Sequence, residues 1–287
     1  IQRAAESKNI DPQIFCDEIS QTFRNLSNTL NLSNTDFIRT TEDRHKKTVQ
    51  YLWSQLEKND DIYLSKYSGW YSVSDEAFYT EEEISEKEDN KIATSSGSLV
   101  EWIEEESYFF RLSKWQDSLL EYYENNPDFI SPKSRKNEVI SFVKSGLKDL
   151  SISRKAFSWG IKVPNNPEHV IYVWLDALTN YISALNYPNT DDDLFKNFWP
   201  ASVHLIGKDI LRFHAVYWPA FLMAAKITLP NKVYGHGWIL SGDEKMSKSK
   251  GNILDPLDII ETYGLDPLRY YLIKEVSFGN DGNISQD

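Results

Sequence analysis

The chain has one cysteine, Cys16, in 287 residues, so neither an intrachain disulfide framework nor a thiolate zinc cage can form. Such scarcity fits a reducing compartment: a cytoplasmic location is the first expectation and a mitochondrial matrix the alternative. No apolar run reaches the ~18 residues of a membrane span, so no membrane partner is expected. Basic residues are also in short supply: 31 Lys and Arg face 43 Asp and Glu, a formal net charge of -12. General affinity for nucleic acid rests on neutralising phosphates and is disfavoured by that balance, so an RNA partner would need a local basic face. The first residue is Ile1 rather than methionine, inside an amphipathic stretch, and no targeting signal can be read from it. Nothing in the sequence fixes an oligomeric state.

Hydrophobic residues still make up 40% and aromatics 14% of the chain, and the length exceeds one average domain. One large domain with an insertion, or two smaller domains, is expected. Ile14, Phe15, Ile19, Phe23, Leu26, Leu30 and Leu32 recur at helical intervals and predict a helix over 12–33. Residues 37–40 read as a short strand, and Thr41 as the N-cap of a helix over 42–58 with Val49, Leu52, Trp53 and Leu56 on one face. His45, among Arg44, Lys46 and Lys47, is expected on the solvated side of that helix rather than in catalysis. From Ile62 the texture turns to short aromatic segments, and the polar run 81–97 reads as loop or disorder.

Beyond 140 the texture returns to α/β. The apolar runs 170–175, 202–207 and 232–238 read as buried parallel strands alternating with helices. That cadence predicts an α/β fold with a Rossmann-type parallel sheet, whose ligands sit at the carboxyl ends of the strands. Four regions follow: 1–62 as one part of the nucleotide-binding fold, 63–140 as an insertion, 141–240 as its second half, and 241–287 as a lysine-rich loop with the start of a further region.

The strand ends carry distinct chemistry. Gly207, Lys208 and Asp209 put a small residue, a cation and a carboxylate at a helix start, suited to ribose hydroxyls and a phosphate. Trp174, Tyr181, Ile210, His214 and Trp218 can form an adaptable aromatic pocket or plain core, since the last three recur every four residues along one helix face. His236, Gly237, Trp238 and Ile239 offer a glycine where backbone can approach a planar base. In the octapeptide 245–252, Lys245, Lys248 and Lys250 are separated by small hydroxyl residues and stopped by Gly251. A loop of that kind can wrap an anion, and cations placed where a leaving pyrophosphate gains charge favour nucleotidyl transfer.

The octapeptide matches the KMSKS signature of class I aminoacyl-tRNA synthetases. Further segments, at 1–6, 37–42, 106–111, 172–177, 204–210, 213–214 and 235–238, make the chain resemble methionyl-tRNA synthetases from end to end. The resemblance implies a Rossmann-type catalytic domain split by a connective peptide, and a two-step reaction. Methionine and ATP, which enters with Mg2+, would give methionyl-adenylate, and tRNA(Met) would accept the methionyl group. It implies that Trp174, Ala177, Leu178, Tyr181, Ile210, His214 and Trp218 line the methionine side-chain pocket. Gly207, Lys208, Asp209, His236, Gly237, Trp238 and Ile239 would surround ATP, and Lys245 and Lys248 would hold its phosphates during catalysis.

Three departures accompany the resemblance. The family's N-terminal HIGH-type signature and its anticodon-binding domain have no counterpart, so the chain reads as truncated. Ser72 and Asp75 stand where many relatives carry a C-x-x-C knuckle, so no zinc is expected. Two alternatives stay open from the sequence: a class I synthetase for another apolar amino acid, and a non-catalytic synthetase-like binding module.

Overall fold

The computed structural model of the protein describes all residues except 73–76, 80, 88–89, 95, 157, 247–251, 275 and 285–287. Asp75, Lys248, Lys250 and Gly251, all singled out from the sequence, therefore lie outside the described residues.

Helix Asp43–Lys58 is the inner wall of the core. His45, Thr48, Val49, Leu52, Trp53 and Leu56 are buried along it, at the three- and four-residue spacing that turns one face inward. Trp53 meets Tyr108 edge-on at 5.2 Å, and Phe110 meets Phe221 at 4.7 Å, which joins this helix to the strands and helices on either side. Removing either Trp53 or Phe110 would cost about 3–5 kcal/mol through lost burial and the cavity left behind. Thr41 is not the N-cap: Glu42 holds that position without a side-chain hydrogen bond, and the Thr41 hydroxyl oxygen is buried with no partner.

Helix Pro12–Thr29 forms as its spacing predicts. Asp11 caps it by accepting from the amides of Gln13 (2.8 Å) and Ile14 (3.3 Å), and Pro12 takes the first helical position. None of its residues is buried, so its amphipathic pattern points to a face that is uncovered in this chain. Residues 37–40 are irregular rather than a strand.

The aromatic segments after Ile62 build an antiparallel sheet. Strand Ile62–Ser72 pairs with Glu101–Phe110 over its whole length, from Ile62 opposite Phe110 to Tyr71 opposite Glu101. Ala77–Tyr79 and Leu150–Ser151 flank this pair. The polar run expected to be loop contains a hairpin, Ile84–Lys87 against Asn90–Ala93. Cross-strand pairing holds these charged residues in strands despite their poor intrinsic preference for that state.

Strands His204–Gly207, Val233–His236 and Ile130–Ser131 form the parallel sheet, with Val233–His236 in the middle. Gly207 lies opposite His236, so the two strands end side by side. Ile130–Ser131 and helix Lys133–Lys144 thus belong with this sheet, and the insertion boundary expected at 140 falls inside that helix.

The run 170–175 is not a parallel strand. Its first residues end strand Asn166–Ile171, which pairs antiparallel with Ser153–Arg154 and Lys162–Val163, and helix Val173–Leu178 begins two residues later. A short apolar run does not distinguish a strand from a buried helix. Here Leu175, Leu178 and Ile182 are buried at helical spacing while Val173 faces outward, which settles the matter.

Candidate active site

Two groups of side chains flank strand His204–Gly207, one around its first residue and one beyond its last. The first is aromatic. Tyr181 stacks on His204 with ring centroids 3.9 Å apart, meets His214 edge-on at 5.6 Å, and lies 6.2 Å from Trp218. Trp199 closes the far side against His204 and Trp218. Residues 213–217 form a π-helical turn between Ile210 and Trp218; such a widened turn is a frequent device for re-aiming side chains at functional sites. His214 and Trp218 are both buried.

Every polar hydrogen of this cluster that the contacts identify is used internally. The Nδ1 of His214 lies 2.9 Å from the Ile210 carbonyl, which can only accept, so Nδ1 carries the hydrogen. The Nε2 of His214 is then an acceptor, and the Tyr181 hydroxyl donates to it at 2.8 Å. Likewise the indole N–H of Trp218 donates to Nε2 of His204 at 3.2 Å. Burial keeps both imidazoles neutral: that of His204, with His214 beside it, is pushed down to about 3, and that of His214 is lowered. Burial pushes the Tyr181 phenol up to about 12. The cluster is therefore neutral aromatic surface with no spare charge.

Trp174, expected beside Tyr181, instead stacks flat on Phe213, with centroids 3.4 Å apart and planes 9° apart. It reaches the cluster through the residue next to His214. Ala177 is half-buried and Leu178 fully buried on the same helix. A cavity of about 770 Å³ opens on the other side of helix Val173–Leu178; its walls include Thr41, Lys46, Arg154, Trp159, Tyr172 and Asp176, but not Tyr181, His214 or Trp218.

The second group is charged. Lys208 and Lys245 both lie over the indole of Trp238, with their ammonium groups 4.0 and 4.2 Å from the ring. The Trp238 indole N–H donates to Asp209 at 3.2 Å. A Cβ on Gly207 would sit 2.8 Å from that same Asp209 carboxylate oxygen, so a side chain there would displace the carboxylate from the Trp238 indole. His236 is exposed, and its Nδ1 donates to the Gly237 carbonyl at 2.7 Å. Asp209 precedes Ile210, whose carbonyl orients His214, so the two groups are joined through adjacent residues of one turn. Ile239 begins the short strand Ile239–Ser241, which leads to Lys245.

Several residues of this region escape sequence reasoning. His45 is fully buried rather than solvated: its Nδ1 lies 2.8 Å from the Ser183 hydroxyl and its Nε2 2.7 Å from Asp176. Its basic neighbours at 44, 46 and 47 misled the expectation, although Val49 and Leu52, four and seven residues on, share its face. Arg154, buried with its guanidinium 4.2 Å over the Tyr172 ring, had no sequence signal beyond its place at a strand end. Asp281 pairs with Lys208 from 73 residues away, and no local pattern announces it. Among the described residues, no group of three or more His, Cys, Asp or Glu is placed to hold a metal ion. No helix of the described residues is long and apolar enough to cross a membrane.

Fold and site together define an α/β protein with a Rossmann-type parallel sheet, a separate antiparallel sheet, a buried aromatic cluster around Tyr181 and His214, and a cationic pair, Lys208 and Lys245, on Trp238 beyond the strand ends. The chain belongs to the class I tRNA synthetases, matching the family described as tRNA synthetases class I (M) over residues 1–287. It is 60% identical to the methionine–tRNA ligase of Rickettsia typhi over 287 residues, covering 100% of this chain and 56% of that protein. Identity to the Brucella melitensis methionine–tRNA ligase is 55% over 285 residues, covering 99% of this chain and 55% of the other. The structure of Mycobacterium tuberculosis methionyl-tRNA synthetase in complex with methionyl-adenylate superposes with a TM-score of 0.95 at 49% identity, covering 100% of this chain and 56% of that one. The free form of the same enzyme gives 0.85 at 48% identity, covering 96% of this chain and 54% of the other. The chain thus spans about half the length of the relatives it matches.

Proposed function

We propose that this protein serves ATP-dependent activation of methionine and its transfer to tRNA(Met). The observation that carries the reading is the aromatic cluster of Tyr181, His214 and Trp218, whose polar hydrogens are spent on His214, the Ile210 carbonyl and His204. An unbranched thioether offers no charge to grip, and sulfur–aromatic contacts favour such a wall. Relatives that are methionine–tRNA ligases and a superposable enzyme bound to methionyl-adenylate support the same substrate.

In this reading Trp174, Ala177, Leu178, Tyr181, Ile210, His214 and Trp218 hold the methionine side chain. Gly207, Lys208, Asp209, His236, Gly237, Trp238 and Ile239 surround ATP, with Mg2+ entering as part of that substrate. A methionine carboxylate oxygen attacks the α-phosphorus, the bond to the bridging oxygen of pyrophosphate breaks, and negative charge grows on the leaving oxygens. Lys245 and Lys248 stabilise that charge. A terminal ribose hydroxyl of tRNA then attacks the activated carbonyl and AMP departs. Positioning and fixed charge carry the first step, with no covalent enzyme intermediate. The antiparallel sheet after Ile62 serves as the connective peptide, and residues after 241 as the phosphate loop and the start of a stem-contact region.

Calorimetry and ATP–pyrophosphate exchange test this. Methionine should drive exchange in preference to leucine, isoleucine and valine. Lys248→Ala should slow adenylate formation on the order of a hundredfold while methionine affinity stays nearly unchanged. Equal losses in both would remove the transition-state role of the loop, and exchange driven best by another amino acid would remove methionine as substrate.

A further inference from the structure

Asp281 lies beyond the lysine loop, 73 residues from Lys208. Its carboxylate grips the Lys208 ammonium with both oxygens, at 2.6 and 2.7 Å, and one of those oxygens also accepts from the Trp238 backbone amide at 2.9 Å. The Lys208 side chain is only 16% exposed. One side chain thereby ties the loop after the first parallel strand to the loop after the second. The next residue completes the hold, because the Gly282 amide donates to the Trp238 carbonyl at 2.9 Å. Strand Gly282–Ile284 then runs parallel to Ile239–Ser241, with Gly282 opposite Ile239.

The surroundings exclude a loosely placed tail. A Cβ on Gly237 would meet the backbone of Asn280 at 2.0 and 2.2 Å. Asn283 exchanges hydrogen bonds with Asp243, accepting from its amide at 3.2 Å and donating to its carboxylate at 2.7 Å, while the Tyr271 hydroxyl donates to the Asn283 carbonyl at 2.6 Å. Phe278 stacks on Tyr234 with centroids 4.2 Å apart. The whole stretch from Tyr234 to Asp243, which leads straight into Lys245, is thus braced from one side by residues 278–284.

We propose that Asp281 is a positioning residue for the nucleotide site: it fixes the Lys208 ammonium and the Trp238 main chain in the geometry that receives the nucleoside triphosphate. The proposal rests on the nucleotide reading given above. A bidentate, half-buried carboxylate–ammonium contact is directional and short, so it removes the rotational freedom that an unpartnered lysine would lose on binding. Lys208 and the Trp238 amide hold the carboxyl of Asp281 below the usual carboxylate range, so the brace is in place at neutral pH.

The test compares the chain with Asp281→Asn and Asp281→Glu. Asn keeps an acceptor for the Trp238 amide but loses the charge; Glu keeps the charge one methylene further out. ATP affinity by calorimetry should fall about tenfold in Asp281→Asn, the loss of one charge-assisted contact, and recover in part in Asp281→Glu. Methionine affinity should change by less than about twofold, since the aromatic cluster shares no partner with Asp281. In the ligand-free protein, amides 238–245 should exchange hydrogen faster in Asp281→Asn, a readout that needs no nucleotide. ATP affinity that is unchanged, or tighter because the carboxylate was blocking Lys208, would overturn the proposal. Should the unsubstituted chain bind no ATP, the nucleotide reading fails for this chain; exchange then decides alone, and unaltered protection of 238–245 would overturn the brace.

Discussion

Acid should destabilise this protein through His204, and the size of the effect follows from its place in the aromatic cluster. The ring is 3% exposed, stacked on Tyr181 and hydrogen-bonded by the Trp218 indole, with His214 as its titratable neighbour. Its pKa is pushed down to about 3, against about 6.5 in an unfolded chain. Above the unfolded value neither state binds the proton, and stability does not depend on this group. Below it the unfolded chain takes up a proton that the folded chain refuses, so stability falls as pH falls, down to the folded pKa. Over the roughly 1.5 pH units between 6.5 and 5, at about 1.36 kcal/mol each, the loss from His204 alone is about 2 kcal/mol. His214, also lowered, adds in the same direction. His204→Gln retains an acceptor for the Trp218 indole and cannot titrate. Urea unfolding at pH 7.5 and pH 5 should therefore show the substituted chain losing about 2 kcal/mol less than the original. Parallel losses in the two chains would mean that the ring protonates in place without penalty, and that the cluster does not keep it neutral.

Two further outcomes follow from the same contacts. Tyr181→Phe removes the only hydrogen-bond donor that the contacts give to Nε2 of buried His214; it should cost about 1–3 kcal/mol in unfolding experiments and weaken methionine binding, whereas unchanged stability would show that Nε2 finds another partner. Gly237→Ala drives a Cβ into the Asn280 backbone at 2.0 Å, so it should cost about 1–3 kcal/mol and release residues 281–284, seen as faster amide exchange there; intact protection would show that the segment can shift without loss.

Much of the site is legible from residue type and local spacing. Ile210, His214 and Trp218 declare one helix face, and Gly207 and His236 mark strand ends because apolar runs stop there. The lysine loop is readable because small hydroxyl residues separate its cations and a glycine stops it. Where reading failed, a short-range signal was shared by two states. The run 170–175 satisfies both a buried strand and a helix start, and antiparallel partners at Ser153–Arg154 and Lys162–Val163 decided between them. Cross-strand pairing likewise made a hairpin of charged residues that composition assigns to loop. His45 carried two contradictory signals, basic neighbours and an apolar helix face, and packing resolved them.

Sequence alone determined the family likeness, the α/β cadence, and which side-chain types stand where the parallel strands stop, because periodicity and turn chemistry are properties of adjacent residues. Only the folded chain decided that His45 meets Asp176 across 131 positions, that Trp174 lies on Phe213, and that Asp281 reaches Lys208 and Trp238. Hydrogen bonds over such separations leave no period in the sequence; they exist because the core brings their partners to within 3 Å of one another.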